Sequence, residues 1–165
     1  MHAVDRVANF MRDFGLKLVT AESCTAGLIA ATLADVPGPG DLLDSAFVTY
    51  SPASKMNCLG VSPKTLQIHN LTSEAVAREM ALGAARKSAA NVAISNTGVT
   101  DSTDDEIPAG TQCFAWVFKS GAADAAPAVY SETVRFSGGR SAVRRSSAEY
   151  ALTRLFNYHE LWRSG

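Results

Sequence analysis

The sequence predicts an α/β protein built as a three-layer α/β/α sandwich around a mixed, mostly parallel β-sheet. Segments with helical periodicity alternate with short apolar segments along most of the 165-residue chain, which favours parallel strands with helices on both faces. The last two strand-like segments lack an intervening helix, which indicates one antiparallel edge. Hydrophobic residues make up 47% of the chain and charged residues 19%, enough apolar material for the core of one domain spanning residues 1–165.

Helix signals are of three kinds. The first helix is amphipathic, with apolar side chains on one face and Gly15 at its end. Serine followed by proline, at Ser51 and Ser62, is typical of an N-cap and first helical position. Alanine-rich and long periodic segments predict the others. The predicted helices are 2–14, 28–33, 52–58, 63–69, 73–89 and 140–159.

Strand signals are short runs of apolar, β-branched and aromatic residues between turn residues. Segment 37–40, with its two prolines and two glycines, predicts a loop, and the polar, acidic segment 98–110 predicts a longer one. The predicted strands are 16–20, 46–50, 91–97, 111–118 and 128–136.

Charge and cysteine content exclude several classes of protein. The net charge of -1 gives no electrostatic reason to expect a nucleic-acid or membrane partner. The three cysteines lie far apart without a CxxC pair, which argues against a disulfide framework or a structural zinc site. The first residues lack the apolar core of a signal peptide. We therefore expect a soluble, cytoplasmic, single-domain protein without a structural zinc site.

The first candidate site is Thr20–Gly27, which joins a predicted strand to a predicted helix. In an open α/β sheet, ligands bind at the carboxyl ends of strands. Ser23 is a potential nucleophile if a base removes its proton. The neighbouring Cys24 is a rival, because a helix N-terminus lowers the pKa of a thiol. The alternative is that Ser23 and Thr25 only cap the helix and Cys24 is an inert buried thiol.

The second candidate site is Tyr50–Lys55. Tyr50 ends a predicted strand, and Lys55 lies about one turn into the next helix. A lysine acts as a general base when burial lowers its pKa, and serine with lysine is a known substitute for the serine–histidine pair. The alternative is a solvated lysine and a half-buried tyrosine.

Two further segments carry charge. Four acidic residues lie between 101 and 106, but their spacing does not match a calcium-binding loop, and a solvated loop is the simpler interpretation. Arg140, near Arg144 and Arg145, starts a predicted helix and suits a carboxylate or phosphate, or a surface salt bridge. The three histidines have no partner at metal-ligand spacing.

Several ordered motifs together resemble the CinA C-terminal domain family, whose stand-alone members are nicotinamide-nucleotide amidohydrolases. The resemblance covers roughly residues 4–160. Its most specific piece is TAESCTAG at 20–27, where the family typically has AESCTGG. The others are DVPG at 35–38, VTYSPASKMNCLGV at 48–61, SEAVAREMALGAA at 73–85, NTG at 96–98, PAGTQCFAWV at 108–117 and FSGGRSAVRRSSAEYAL at 136–152.

The resemblance implies hydrolysis of the carboxamide of nicotinamide mononucleotide to nicotinic acid mononucleotide and ammonia, by a homo-oligomer without a cofactor. It implies Ser23 as nucleophile or activating hydroxyl, with Lys55 and Tyr50 as proton-transfer partners. Free N–H groups near Cys24 and Thr25 would stabilise the oxyanion. The matching positions that would bind substrate are Cys24, Thr25, Thr97, Gly98 and Arg140.

One segment departs from the family pattern. Residues 99–107 lack the family's TGIAGP continuation, its glycine-rich run and its lysine before a proline, and they carry acidic residues instead. Carboxylates close to a nucleotide phosphate would repel it. Two alternatives therefore stay open beside the amidohydrolase. One is a catalytically impaired module that binds a small ligand or regulates a partner, and the other is an interaction protein that associates through its apolar N-terminal helix.

Overall fold

The computed structural model describes residues 1–102 and 105–165 and forms a mixed five-stranded sheet with helices on both faces. The predicted three-layer α/β/α class is confirmed. The strands are β1 (Leu18–Glu22), β2 (Leu43–Val48), β3 (Val92–Gly98), β4 (Thr111–Phe118) and β5 (Ala128–Arg135). The helices are α1 (Ala3–Asp13), α2 (Leu28–Ala34), α3 (Pro52–Leu59), α4 (Pro63–Ile68), α5 (Glu74–Arg86), α6 (Arg140–Thr153) and α7 (Leu155–Ser164). A short 3-10 turn spans Pro39–Asp41 within the predicted loop.

The strands lie in the order β2-β1-β3-β4-β5. The pairs β1–β2 and β1–β3 are parallel, whereas β3–β4 and β4–β5 are antiparallel. Four strands therefore run in one direction and only β4 runs in the other. The sheet has two antiparallel pairs where the sequence indicated one edge, because the long loop after β3 returns the chain directly into β4.

The two faces of the sheet pack against helices of different kinds. Phe114, Trp116 and Phe118 of β4 point towards helices α1, α2, α6 and α7 and pack with their buried apolar side chains. The alternate β4 residues are smaller and face the alanine-rich helix α5. Successive side chains of a strand point to opposite faces, so the alternation in β4 sets a bulky aromatic layer on one side and close helix packing on the other.

The predicted closing helix over 140–159 is wrong in one respect, because it divides at Arg154 into α6 and α7. The indole N–H of Trp116 donates to the carbonyl oxygen of Ala151 at 2.9 Å. That carbonyl would otherwise accept the helical hydrogen bond from Leu155, four residues later. A long-range contact from the sheet therefore interrupts a segment whose local sequence is helical throughout.

Strand β1 lies two residues later than the predicted 16–20, and β2 begins three residues earlier than the predicted 46–50. The N–H of Leu16 donates to the carbonyl oxygen of Met11, so Leu16 belongs to the turn that closes the end of α1 and not to β1. The shift puts Glu22 in the strand and Ser23 directly after it. No helix in the part of the chain that the structure describes is both long and apolar enough to span a membrane.

Gly83 of α5 lets that helix approach α3 closely. A Cβ atom on Gly83 would lie 1.9 Å from the carbonyl oxygen of Leu59, which ends α3. Backbone atoms cannot yield as a flexible side chain can. The close approach therefore depends on glycine and holds α3 against α5.

We predict that Gly83→Ala destabilises the protein by about 2 kcal/mol, because the overpacking cost outweighs the gain in helix propensity. Urea unfolding measures this change. Gly40→Ala is the control, since a Cβ there meets nothing within 4 Å, and its effect should stay within about 0.5 kcal/mol. A stabilised Gly83→Ala variant would contradict the close approach.

Candidate active site

The candidate site lies at the carboxyl ends of β1 and β3, where the order of strand connections reverses. The chain passes from β1 to β2 through α2 on one face, and from β2 to β3 through α3–α5 on the other. A crevice forms outside the strand ends at such a reversal and is the usual ligand site of an open α/β sheet. Here it holds a cavity of about 230 Å³ lined by Ser23, Cys24, Tyr50, Lys55, Asn70, Leu71, Thr72, Thr97, Gly98 and Val99.

Ser23 and Lys55 meet inside this cavity although 32 residues separate them in the sequence. Ser23 directly follows β1, and Lys55 lies in α3, which follows the neighbouring strand β2. The Lys55 Nζ atom donates to Ser23 Oγ at 3.0 Å and to the carbonyl oxygen of Thr49 at 2.6 Å. The second bond fixes the amine in place, so the pair has the geometry of a hydroxyl beside its base.

Burial changes the acid–base chemistry of Lys55. Its side chain is only 1% exposed, and it makes no salt bridge with any described residue. Desolvation disfavours the charged ammonium and lowers the pKa of Lys55 to about 8. About one tenth of the amine is then neutral at pH 7, against less than about a thousandth at the ordinary lysine pKa. Lys55 can therefore accept a proton near neutral pH.

Residues 23–27, which join β1 to α2, form the Ser23 turn. The carboxylate of Glu22, which is fully buried, fixes this turn by hydrogen bonds. It accepts hydrogen bonds from the hydroxyls of Thr20 and Thr25 at 2.8 and 2.7 Å. It also accepts the N–H groups of Gly27, Ile29 and Ala30 at 2.9–3.1 Å. Five donors satisfy the buried charge, and the carboxylate lies at the positive end of the α2 dipole.

The expectation that Ser23 or Thr25 caps the following helix is wrong. Helix α2 begins at Leu28, five residues after Ser23, and its N-cap is Gly27. Glu22 takes the N–H groups of its first turn. The helix N-terminus is therefore already occupied and does not face a substrate.

A second polar network fixes the other side of the turn. The carbonyl and side-chain oxygens of Asn96 accept the N–H groups of Ser23 and Thr25, each at 3.0 Å. The Asn96 amide donates to Gln112, and Gln112 donates to Cys24 Sγ and to the carbonyl oxygen of Val99. Glycine at position 98 leaves room for the Gln112 side chain, because a Cβ atom there would lie 2.2 Å from it. The network connects both strand ends beneath the cavity.

Two backbone N–H groups follow Ser23, and they differ in whether the protein itself already hydrogen-bonds them. Asn96 occupies the Thr25 N–H, so the expectation that this group stabilises an oxyanion is wrong. The Cys24 N–H makes no hydrogen bond with a described residue. Of the two N–H groups, it is therefore the one that remains unpaired among the described residues beside the cavity.

The thiol of Cys24 is a poor nucleophile in this setting. Burial raises its pKa above the ordinary thiol value, and the nearby Asp101 acts in the same direction. The hydrogen bond from Gln112 and the charges of Arg144 and Arg140 oppose this shift without overcoming it. A buried thiol with a raised pKa holds little thiolate at neutral pH. The geometry therefore favours Ser23 over Cys24.

The remaining predicted residues lie at different depths. Tyr50 is on the rim, with 60% of its surface exposed, and its hydroxyl makes no hydrogen bond with Ser23 or Lys55 among the described residues. Its role in proton transfer stays a prediction. Thr97 lines the cavity, and its hydroxyl donates to the carbonyl oxygen of Leu71 at 2.9 Å. This bond attaches segment 70–72 to β3 and forms one wall of the cavity.

Thr25 and Arg140 lie outside the cavity lining. Thr25 is fully buried and bound to Glu22 and Asn96. Arg140 is exposed and pairs with Asp101 at 3.4 Å. Arg144, one turn later in α6, contacts the Ser23 turn directly, because its Nε and Nη2 atoms donate to the carbonyl oxygens of Cys24 and Thr25 at 2.9 and 3.3 Å.

Sequence reasoning missed most of the supporting polar residues. Glu22 lies within the quoted TAESCTAG motif. The hydroxyl-bearing residues on both sides of it were the available sign that it accepts hydrogen bonds in a buried position. Asn96 lies in the quoted NTG motif. Nothing in the local pattern indicates that segment 70–72 closes the cavity. Within the described residues, no group of three potential metal ligands comes together, and Asp104 of the acidic segment lies outside them.

This constellation defines an α/β protein with a serine–lysine site at the carboxyl edge of its sheet. The model of the CinA C-terminal domain matches residues 2–159. The chain belongs to the CinA C-terminal domain family.

The curated relatives fall into two groups by length. The chain is 38% identical to a CinA-like protein of Syntrophobacter fumaroxidans over 91% of this chain and 34% of that protein. The chain spans about a third of the length of the relatives in this first, longer group. It is 35% identical to the nicotinamide-nucleotide amidohydrolase PncC of Escherichia coli K12 over 94% of this chain and 92% of that protein. The second similarity, to a hydrolase, covers nearly the whole of both proteins.

Solved structures of the family have the same fold. The competence damage-inducible protein A of Klebsiella pneumoniae superposes with a TM-score of 0.88 at 32% identity, covering 97% of this chain and 96% of that one. The competence/damage inducible protein CihA of Agrobacterium tumefaciens gives a TM-score of 0.84 at 32% identity, over 95% and 96% of the two chains.

Ala26 adopts an unfavourable backbone conformation in the Ser23 turn. Its φ angle is +47°, in the left-handed region that favours glycine, and among the described residues it is the only non-glycine with a positive φ. Ala26 is also the position at which the motif quoted above has glycine. Its side chain is exposed, so it contributes little packing to offset the strain.

We predict that Ala26→Gly stabilises the protein by up to about 1 kcal/mol, because relief of strain exceeds the added entropy of the unfolded chain. Urea unfolding tests this. The matched control is Ala31→Gly at an exposed position inside α2, which should lose about 1 kcal/mol through helix propensity. Equal losses in the two variants would show that Ala26 is unstrained.

Proposed function

We propose that the chain is an amidohydrolase that cleaves the carboxamide of nicotinamide mononucleotide to nicotinic acid mononucleotide and ammonia. The observation that carries the proposal is the 3.0 Å contact between Ser23 Oγ and the buried amine of Lys55. The names of full-length relatives such as the Escherichia coli amidohydrolase support the choice of substrate. The hydrolase class follows from the same similarity over most of the chain.

In the first half of the reaction, neutral Lys55 takes the Ser23 proton while Oγ attacks the carboxamide carbon. The carbonyl oxygen becomes an oxyanion, for which the Cys24 N–H is the available backbone donor. Such a donor lowers the barrier by roughly 3 kcal/mol when it is aimed at the developing charge. Protonated Lys55 then gives its proton to the departing nitrogen, which leaves as ammonia, and the acyl group remains on Ser23.

In the second half, water hydrolyses the ester on Ser23. Lys55, again neutral, takes a proton from the water as its oxygen attacks the acyl carbon. When the intermediate collapses, Lys55 returns the proton to Ser23 Oγ, and the carboxylic acid leaves and ionises. The amine thus serves as base and acid in each half, and this sequence of steps uses no cofactor.

The size of the cavity supports partial entry of a nucleotide. Its volume of about 230 Å³ is smaller than the roughly 300–1,000 Å³ usual for sites that enclose whole ligands. The pyridine carboxamide would enter between Cys24, Thr97 and Gly98, while the ribose phosphate extends to the rim. Tyr50 offers its ring there, and Arg140 is a cation for the phosphate. Thr25 supports this wall from beneath.

A non-catalytic binding module is the alternative that the divergent segment 99–107 motivates. It would retain the cavity and bind a ligand without releasing ammonia. Assembly into a homo-oligomer and organisation of residues 1–165 as one domain remain predictions, as does a cytoplasmic location. Light scattering of the intact chain tests assembly, because α1 buries Val7, Ala8 and Met11 in the core and cannot be deleted without exposing it.

We predict that Ser23→Ala and Lys55→Met each lower ammonia release from nicotinamide mononucleotide by at least about a hundredfold, because each removes one partner of the reacting pair. A coupled ammonia assay measures this. Lys64→Met is the control, since Lys64 is exposed on α4, and it should retain turnover. Turnover that survives Lys55→Met would exclude Lys55 as the base. No release by the folded wild-type protein would favour the binding module.

The lowered pKa of Lys55 sets the sign of the pH dependence. Only the neutral amine accepts the Ser23 proton, and its fraction grows as pH rises through about 8. We predict that kcat/KM increases about tenfold between pH 7 and 9 and then reaches a plateau. A profile that is flat over this range, or that falls with rising pH, would be incompatible with a neutral Lys55 base.

A further inference from the structure

The cavity contains few positive charges for an anionic substrate. Among the described residues that line it, Lys55 is the only lysine or arginine, and the reaction requires Lys55 in its neutral form. A nucleotide phosphate carries between one and two negative charges at neutral pH. Its counter-charge must therefore come from outside the lining.

Two arginines lie close enough to the cavity to act on Cys24. The charges of Arg144 and Arg140 both lower the pKa of the Cys24 thiol. Arg144 is already engaged, because it donates to the carbonyl oxygens of Cys24 and Thr25. Arg140 is the guanidinium that remains for a substrate anion on this side of the cavity.

Arg140 is not free for that purpose. Its Nη2 atom lies 3.4 Å from Asp101 Oδ2, and the two side chains are 58% and 66% exposed. The hydroxyl of Thr100, a buried residue, donates to the same carboxylate oxygen at 3.2 Å. Asp101 also acts on Cys24, whose pKa it raises. An acidic group is thus held beside the arginine, two residues after Val99 of the cavity lining.

We propose that Asp101 is a specificity-determining residue that occupies Arg140 and opposes the binding of a phosphate-bearing substrate at the rim of the Ser23 cavity. This inference rests on the proposed nucleotide substrate. A phosphate that binds Arg140 must displace the Asp101 carboxylate or lie beside it. An amide substrate without the phosphate does not meet this cost. The side chain therefore shifts the preference of the site from the nucleotide towards the nucleoside.

The test compares dissociation constants for nicotinamide mononucleotide and for its nucleoside, nicotinamide riboside. Titration calorimetry at low salt on Ser23→Ala proteins excludes turnover. Asp101→Asn should tighten binding of the nucleotide by about two- to fivefold, the upper part of the range for an exposed charge interaction. Binding of the riboside should not change. At 1 M salt the gain should largely disappear, because the Debye length falls to about 3 Å.

Asp105→Asn is the matched control, since it removes the same charge from the same exposed segment. Asp105 makes no salt bridge with a described residue. In an Arg140→Gln background the effect of Asp101→Asn should vanish, because the carboxylate then has no guanidinium to occupy. All of these side chains are exposed, so the variants should fold.

The proposal is overturned if Asp101→Asn behaves like Asp105→Asn, if the riboside gains as much as the nucleotide, or if the gain persists without Arg140. It is also overturned if no variant binds either ligand. Ammonia release by proteins with Ser23 intact tests the proposed function separately. Release without an Asp101 effect would refute only the specificity proposal, and an Asp101 effect on binding without release would refute only the hydrolase.

Discussion

The contact between the amine of Lys55 and the hydroxyl of Ser23 depends on burying a lysine side chain, which is only 1% exposed. Holding its charged form there costs about 3 kcal/mol, the equivalent of lowering the pKa from its ordinary value to about 8. A hydrogen bond to the carbonyl oxygen of Thr49 fixes the amine at this position. The packing of the strands and the close contact of α3 with α5 at Gly83 stabilise the fold against this unfavourable free energy. The same burial makes Lys55 a base.

Beneath this pair, fully satisfied polar groups make the Ser23 turn rigid. The Glu22 carboxylate takes five donors, and the side chains of Asn96 and Gln112 connect the ends of β1 and β3. A buried polar network specifies one arrangement when every member has a partner, because any other leaves an unsatisfied group. The turn can therefore carry the strained Ala26 and leave the Cys24 N–H available. Rigidity at this position keeps the reacting atoms in place before a substrate binds.

The sequence predicted those features of the fold and the site that depend on local sequence pattern. The caps at Ser51 and Ser62 form as expected, and the Ser23 and Lys55 segments were identified because each follows a predicted strand. It did not predict the division at Arg154, which depends on a bond from Trp116, or the occupation of the Thr25 N–H by Asn96. These contacts join segments far apart in the chain. The Asp101–Arg140 pair likewise links a loop and a helix 39 residues apart.

The measurement that tests the role of Lys55 most directly is an NMR titration of its side chain. Lysine labelled with ¹³C at Cε reports protonation of each amine, and the signal missing from Lys55→Met assigns the residue. A midpoint of about 8 is expected for the folded protein, while denatured protein should titrate at about 10.4. A folded-state midpoint near 10.4 would mean that the amine is charged at neutral pH, and would contradict its role as the base for Ser23.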